Sequence, residues 1–477
     1  MRTRPQSPLE WIDYLSGRLH VQAAQGKKYT EYYDSENTVL SYAQQKFREV
    51  FGDMFRQYRD NFAPLIVDSI SERLSIKGFR MGPEEEADRD ALQIWQRNLL
   101  DAESNAAHIE ALVQGSAYLI VWGDDDDQPV ITPESANEVV VQYAPGSRRI
   151  IEAGYREFID DWGEIHSTLW LPEGVYTSVK GSNDWSEPER ADNPLGVVPV
   201  VPLLNRKRLK QQPFSELAAI LPVQDAINKV SADAIVASEF AAFPQRIITG
   251  LEPFEDTDEE RQAMLKAYVD RILTFDGEDV NFGQFQAADL SNYVALIDML
   301  VQHMASQSRV PFHYFLLNGG QAPSGESITA AEAGLVAKAR ERMLHFGESW
   351  EQAMRLAFQV MDDPRAEAWD AEVIWADPEH RQRATLIDAL GKEKEMLDVP
   401  KRQLWEEAGY SPQQIARFEE MKEHELKQEA EWREKYSPKE DEVQQAGAQG
   451  QGADPGRSAG KPADSATTKR QAEKASR

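Results

Sequence analysis

The stretch VPFHYFLLNGGQAPSGESITAAEAGLVAKA, residues 310–339, changes character twice. An apolar start gives way to Asn318-Gly319-Gly320 and a Gly/Pro/Ser segment, which then becomes an alanine-rich helical pattern. Within it, Gly320, Gly325 and Ser327 fit a nucleotide-binding P-loop, but Glu326 stands where that pattern needs Lys. The P-loop Lys meets the β- and γ-phosphates as a positive charge, and a carboxylate there repels them. Pro323 also lacks the backbone N–H that a phosphate cradle uses. A P-loop follows a buried strand, whereas this loop follows a helical pattern. Residues 320–327 therefore read as a pliant loop with a helix start. A nucleotide-binding enzyme using a degenerate P-loop is the competing reading.

Long helices flank the loop. In DLSNYVALIDMLVQHMASQS, Leu290, Tyr293, Val294, Ile297, Leu300, Val301 and Met304 recur at helical spacing. Pro311 ends that helix at Arg309 or Val310. Ser324 or Ser327 then caps a second helix that runs to Met361, a rod of roughly 50 Å at ~1.5 Å per residue. Leu335, Met343, Phe346, Trp350, Met354, Ala357 and Met361 are its expected buried side. Loops of about fifteen residues between two helices tend to be functional or disordered.

Further out, residues 7–60 read as helical, with Trp11, Tyr14, Leu15 and Leu19 in one run and Phe47, Val50, Phe51, Met54 and Phe55 in another. YTEYYDSEN breaks the pattern between them. NFAPLIVDSISERLSIKGF predicts a helix leading to a turn at Gly78. Residues 84–116 predict two amphipathic helices. AYLIVWG, EVVVQY, RIIEAGYREF and IHSTLWL are short β-rich runs. Asp124–Asp127 read as a solvated hairpin tip, since no EF-hand spacing surrounds them. NPLGVVPVVPLLNRKR is extended, because Pro199 and Pro202 disfavour a helix and a central strand. The basic group Arg206, Lys207, Arg208 and Lys210 suits a solvated loop, an acidic neighbouring subunit or phosphate. Residues 215–240 return to a helix capped by Ser215, where Pro222 marks a kink or the true start. QRIITG and RILTF predict strands around a helix in DEERQAMLKAYVD. AEVIWADP predicts a strand, and 378–410 and 411–436 predict charged helices. The segment 437–477 has the composition of a disordered tail.

Composition narrows the function classes. The 477 residues contain no cysteine, which excludes disulfides and thiolate metal sites and fits a reducing compartment. Neither a membrane span nor a signal-peptide core is present in the sequence, so a soluble intracellular product is expected. A net charge of −29 argues against tight nonspecific duplex binding; an acidic wall would let DNA slide past without sticking, but composition does not choose between that and ordinary solubility. No HExxH, GxSxG or dinucleotide fingerprint nominates a catalytic centre. The eight histidines are scattered. His303 reads as a structural histidine, and the tryptophans read as core.

NPLGVVPVVPLLNR, SELAAILPVQDAINKVSADAIVASEFAAFPQRIITG, FGQFQAADLSNYVALIDMLVQHMASQSRVPFHYF, PSGESITAAEAGLVAKA and FGESWEQAMRLA, in this order and spacing, resemble the portal proteins of tailed bacteriophages, in the branch typified by phage SPP1. The resemblance implies an α+β, mainly helical fold. It implies a homo-oligomeric ring, usually of twelve subunits, at one capsid vertex of the virion, assembled in the host cytoplasm. Double-stranded DNA passes through the ring during packaging and ejection. The implied partners are the terminase large subunit, major capsid and scaffold proteins and a head–tail adaptor, with no membrane, no cofactor and no enzyme activity in the chain itself. Residues 1–214 would be the wing, 215–243 and 289–309 the stem helices and 244–288 the clip. Residues 310–327 would be the tunnel loop, 328–378 the long wing helix and return strand, and 379–436 the crown. Asn318, Gly319, Gly320, Gln321, Ser324 and Gly325 would line the channel and face DNA. Another head–tail connector or capsid morphogenesis ring protein is the nearest alternative.

Overall fold

The computed structural model describes residues 4–36, 60–82, 87–182, 184–206, 208–209, 212–242, 246–249, 281–284, 289–315, 325–379 and 383–436. Helix α1 (Pro8–Tyr33) opens with Ser7 in an extended conformation, its hydroxyl accepting from the Glu10 amide at 3.3 Å. It runs through Tyr32 and Tyr33, so the break expected across 29–37 begins only at Asp34. The second run at 47–55 lies outside the described residues.

Helix α2 (Ala63–Ser71) leads into strand β1 (Ile76–Arg80). Gly78 therefore sits in a strand and not in the expected turn. It pairs with Ile374 of β12 (Glu372–Trp375), beside an irregularity in the register. A glycine within a strand commonly marks such a bulge. Helices α3 (Arg89–Arg97) and α4 (Leu100–Gln114) match the two predicted amphipathic runs.

The β-rich part forms two sheets. Strands β2 (Ser116–Gly123), β3 (Pro129–Ser135) and β9 (Val200–Leu204) order as β3-β2-β9. Pro202 lies on an edge strand, where a missing N–H is tolerated. Strands β4 (Val139–Tyr143), β5 (Ile151–Ile159), β6 (Ile165–Leu171), β7 (Gly174–Val179) and β8 (Glu189–Ala191) form a sequential antiparallel sheet. Alternation along these strands supplies two apolar faces. Val140, Ala153, Tyr155, Leu169 and Leu171 pack under Trp11, Ile12, Leu15 and Leu19 of α1. Val139, Val141, Trp170 and Val175 pack with Tyr118, Ile120, Val198 and Val200 on the other side. Gly154 allows this close approach: a Cβ there would lie 2.7 Å from Val200 Cγ2 and 2.9 Å from Val198 Cγ1.

Helix α5 (Leu221–Ala242) carries Pro222 as its second residue, so the proline marks the start; Leu217 and Ile220 are buried in the turn before it. Strands β10 (Arg246–Thr249) and β11 (Asn281–Gln284) pair antiparallel. The predicted helix and RILTF strand between them lie outside the described residues. Helix α6 (Ser291–Ser308) packs along α5. A 3-10 turn, Phe312–Phe315, follows, and then α7 (Gly325–Val360), whose 36 residues span ~54 Å. The predicted buried side of α7 holds from Leu335 to Ala357, but Met361 lies past the helix end and is exposed. The main core joins α7 to α2, α3, α4, β2 and β9 around Trp350, Trp95, Phe346 and Phe79. Helices α8 (Arg383–Leu397) and α9 (Lys401–Glu407) follow β12. A second unit begins at Gln413, within helix α10 (Pro412–Tyr436), which is mostly exposed and charged, with a Glu423–Lys427 pair at 2.7 Å. Among the described residues, no helix is long and apolar enough to cross a membrane.

Gly154→Val should force the two sheets apart, costing about 1–3 kcal/mol. Denaturant unfolding followed by tryptophan fluorescence would register this as a lower midpoint with an unchanged slope.

Candidate functional site

Among the described residues, five acidic or basic side chains are buried: Arg73, Glu216, Glu332, Lys338 and Arg342. Burying an ion is costly unless it is paired. All five converge on the segments that flank residues 316–324.

Two residues of α7, one helical turn apart, grip a single carboxylate. Lys338 Nζ lies 2.7 Å from Glu216 Oε2. Arg342 donates to Glu216 Oε1 from Nε at 3.0 Å and from Nη2 at 2.6 Å. Asn205, fully buried, adds a hydrogen bond to the same oxygen at 3.1 Å. Glu216 is itself placed by its backbone amide on the Leu112 carbonyl at 2.9 Å. Burial pushes its carboxyl up, but the Lys338 and Arg342 charges outweigh burial and hold it at about 2. Burial lowers Lys338 despite the partner, as expected where two cations share one anion. Lys338 also donates to the Ser308 carbonyl at 3.0 Å, at the negative end of α6. One lysine thus ties the end of α6, the approach to α5 and the body of α7.

The second group lies closer to the loop. Arg73 donates to the Ser69 carbonyl and to the Tyr314 hydroxyl, each at 2.8 Å. Tyr314 donates to Glu332 Oε1 at 3.1 Å, and Arg73 Nη2 lies 3.7 Å from Glu332 Oε2. Burial raises the Tyr314 phenol, which keeps it a donor. Phe315 is buried and tilts against Phe62 at 5.6 Å. Arg309, in a left-handed conformation with φ 60°, turns the chain out of α6 before Pro311.

Of the residues expected to line a channel, Asn318, Gly319, Gly320, Gln321 and Ser324 lie outside the described residues. Gly325 is the first residue of α7, so Ser327 is inside the helix and does not cap it. Asp124 needs no metal to explain it: it pairs with Arg97 at 2.8 Å and accepts from the Gln128 amide. In the basic group, Arg206 stacks over Phe214 at 5.5 Å, while Lys207 and Lys210 lie outside the described residues. His303 is exposed, not structural. The buried histidine is His108, which accepts from Trp350 Nε1 at 2.9 Å and is lowered by burial to about 3. Several tryptophans are not core, since Trp162, Trp369 and Trp432 are exposed.

Residues 14–428 match the family described as phage portal protein, SPP1 Gp6-like. The chain belongs to that family. Portal proteins of Mycobacterium phages L5 and D29 are similar to it. The first is 31% identical over 385 residues, covering 76% of this chain and 77% of the relative. The second is 32% identical over 375 residues, covering 75% and 77%. A chain in the neck of an empty gene transfer agent (GTA) particle is a more distant likeness, with a TM-score of 0.45 and 11% identity over 76% of this chain and 96% of that one.

The buried ion groups of this portal protein escaped sequence reasoning. Lys338 and Arg342 share a helix face, but Glu216 is 126 residues from Arg342. The available signal was weak: Lys338 and Arg342 sit at i, i+4 on a helix that also carries Arg340, Arg355 and several glutamates.

Glu216→Gln should strand two buried cations and cost about 3–5 kcal/mol in urea unfolding. Replacing all three by apolar residues, Glu216→Met with Lys338→Met and Arg342→Leu, should recover most of that loss. The pH dependence has a definite sign. The folded carboxyl is depressed, so its contribution is complete above about 4.5 and is lost as pH falls towards about 2. Acid titration of the wild type should show this loss, and Glu216→Gln should remove it.

Proposed function

We propose that this portal protein forms a homo-oligomeric ring, a component of the phage particle, and that the ring is the conduit for double-stranded DNA at one capsid vertex. The observation that carries this reading is the clamping of both flanks of residues 316–324 by buried ions, while the chain around them is strongly acidic. A segment held hard at each end and glycine-rich between can move locally without disturbing its supports. Gly319 and Gly320 permit backbone states that other residues resist. Nine residues running out and back reach at most about 15 Å from their anchors. Asn318, Gly319, Gly320, Gln321, Ser324 and Gly325 are the proposed DNA-facing residues.

Ring formation has its own support. Of the predicted apolar stripe, Val301 and Met304 are buried, while Leu290 and Val294 are exposed at the start of α6. One helical turn apart, these two form a small apolar surface on a helix that already packs along α5. A neighbouring copy would remove this surface from water, and head-to-tail contacts of this kind close into rings. In this reading residues 1–214 are wing, 215–243 and 289–309 stem, 244–288 clip, 310–327 tunnel loop, 328–378 the long helix with its return strand, and 379–436 crown. The motor is a separate terminase, so this chain needs no nucleotide. The further partners are capsid and scaffold proteins and a head–tail adaptor.

Gly319→Ala with Gly320→Ala should leave rings intact by electron microscopy and reduce DNA packaged per particle. Wild-type packaging in that double variant would remove the case for loop mobility. Gln321→Arg should slow DNA passage, with the defect relieved as salt rises. ATP hydrolysis by the purified chain, absent in wild type and in a Glu326→Lys control, checks the competing nucleotide reading.

A further inference from the structure

We propose that Arg73, Tyr314 and Glu332 form a positioning lock that holds the first turns of α7 to the 3-10 turn Phe312–Phe315 and to the end of α2. The lock bears on DNA transit only through the conduit reading above.

The first residues of α7 have weak reasons to stay helical. Gly325, Ser327, Thr329 and Gly334 are poor helix formers, and an interior glycine costs about 1 kcal/mol relative to alanine. Ala330 and Ala331 are exposed. Glu332 is the first buried side chain described in the helix, and Leu335 is the next. A Cβ on Gly334 would meet nothing closer than Arg309 at 3.9 Å, so that glycine is not required by packing. Among the described side chains from Ala330 to Leu335, Glu332 is the one that ties the helix to Tyr314 and Arg73.

That tether is asymmetric. Arg73 lies just beyond α2, whose Ile66, Val67 and Ile70 are fully buried, and it is braced on the Ser69 carbonyl. Tyr314 belongs to the short 3-10 turn before the loop, and Glu332 to the helix after it. One fixed guanidinium thus holds a residue on each side of the 316–324 segment. With the lock open, fraying of α7 can proceed from Gly325 towards Leu335. Opening also leaves a buried arginine without its carboxylate, so the closed state is favoured and the open state is a minor one.

Tyr314→Phe removes both hydroxyl hydrogen bonds and keeps the ring. Glu332→Gln keeps an acceptor for Tyr314 and removes only the charge. Native-state hydrogen exchange on the full-length assembled protein reads the lock directly. Tyr314→Phe should speed exchange in peptides covering 325–334 by roughly five- to tenfold, the loss of about one net hydrogen bond, and leave 340–360 unchanged. Glu332→Gln leaves the buried Arg73 without its carboxylate and should give at least as large an effect in the same peptides. DNA packaged per particle should fall in Tyr314→Phe while rings still form. Unchanged exchange at 325–334, or a uniform rise along α7, would overturn the lock. Local fraying with wild-type packaging would overturn its positioning role. Failure of the conduit reading is seen separately, as purified wild-type protein that forms no ring with a central pore by electron microscopy, a result that leaves the exchange readout of the lock unaffected.

Discussion

The Glu216 carboxylate is the point on which the rest of the structure turns. It receives Lys338 and Arg342 from α7, and Asn205 from the chain leaving β9. Because Lys338 also holds the last carbonyl of α6, three elements far apart in sequence meet at one ion. Hydrophobic contact alone would not fix their register, since apolar surfaces tolerate sliding. A buried charge does not, because any shift leaves an unpaired ion in a dry place. Such groups add little net stability compared with an apolar replacement. Their contribution is specificity: α5 begins, α6 ends and α7 passes at one relative setting.

Helix α7 is consequently graded along its length. Its far half is built into an aromatic core, where Trp350 sits 5.0 Å from Trp95 and donates to the neutral His108. Fully buried aromatic side chains of this size make that half expensive to move. The middle is held by Lys338 and Arg342. Nearer its start, Glu332 ties the helix to Tyr314 and Arg73. Arg365 fixes the other end, bidentate on Asp88, the cap of α3, with a further contact to Asp363.

Local periodicity made most elements legible in the sequence. The helical spacing of Trp11, Tyr14, Leu15 and Leu19 marked α1, and short β-rich runs marked β4 to β6. What failed was non-local. Gly78 looked like a turn because its partner strand, Glu372–Trp375, lies far along the chain, with Ile374 opposite Gly78. Met361 extended a correct helical stripe one turn too far. His303 and His108 were indistinguishable as letters; only the packing of Phe346, Trp350 and Trp375 around the latter separates them. The buried ions were the largest loss. On a helix, Lys338 and Arg342 read as a solvated basic face, and nothing near them in sequence announces Glu216. The loop between α6 and α7 was legible as a break in pattern, but the groups that anchor it were not.

The placement of polarity inverts what a self-sufficient globule would choose. Five charges are inside, whereas Leu290, Val294, Leu296 and Met299 stand in water on α6. For a lone chain both features are unfavourable: desolvation weakens the first, and each exposed Å² of the second forgoes about 25 cal/mol. The two are reconciled if the apolar face is destined for a second copy. Association then recovers the burial that the monomer lacks. In that case the ion network would hold the two helices in the setting that presents these side chains to a neighbour. Under the proposed ring, the same lysine that orders α6 for its neighbour also fixes the ground from which residues 316–324 reach towards DNA, which makes assembly and channel geometry two consequences of one buried salt bridge.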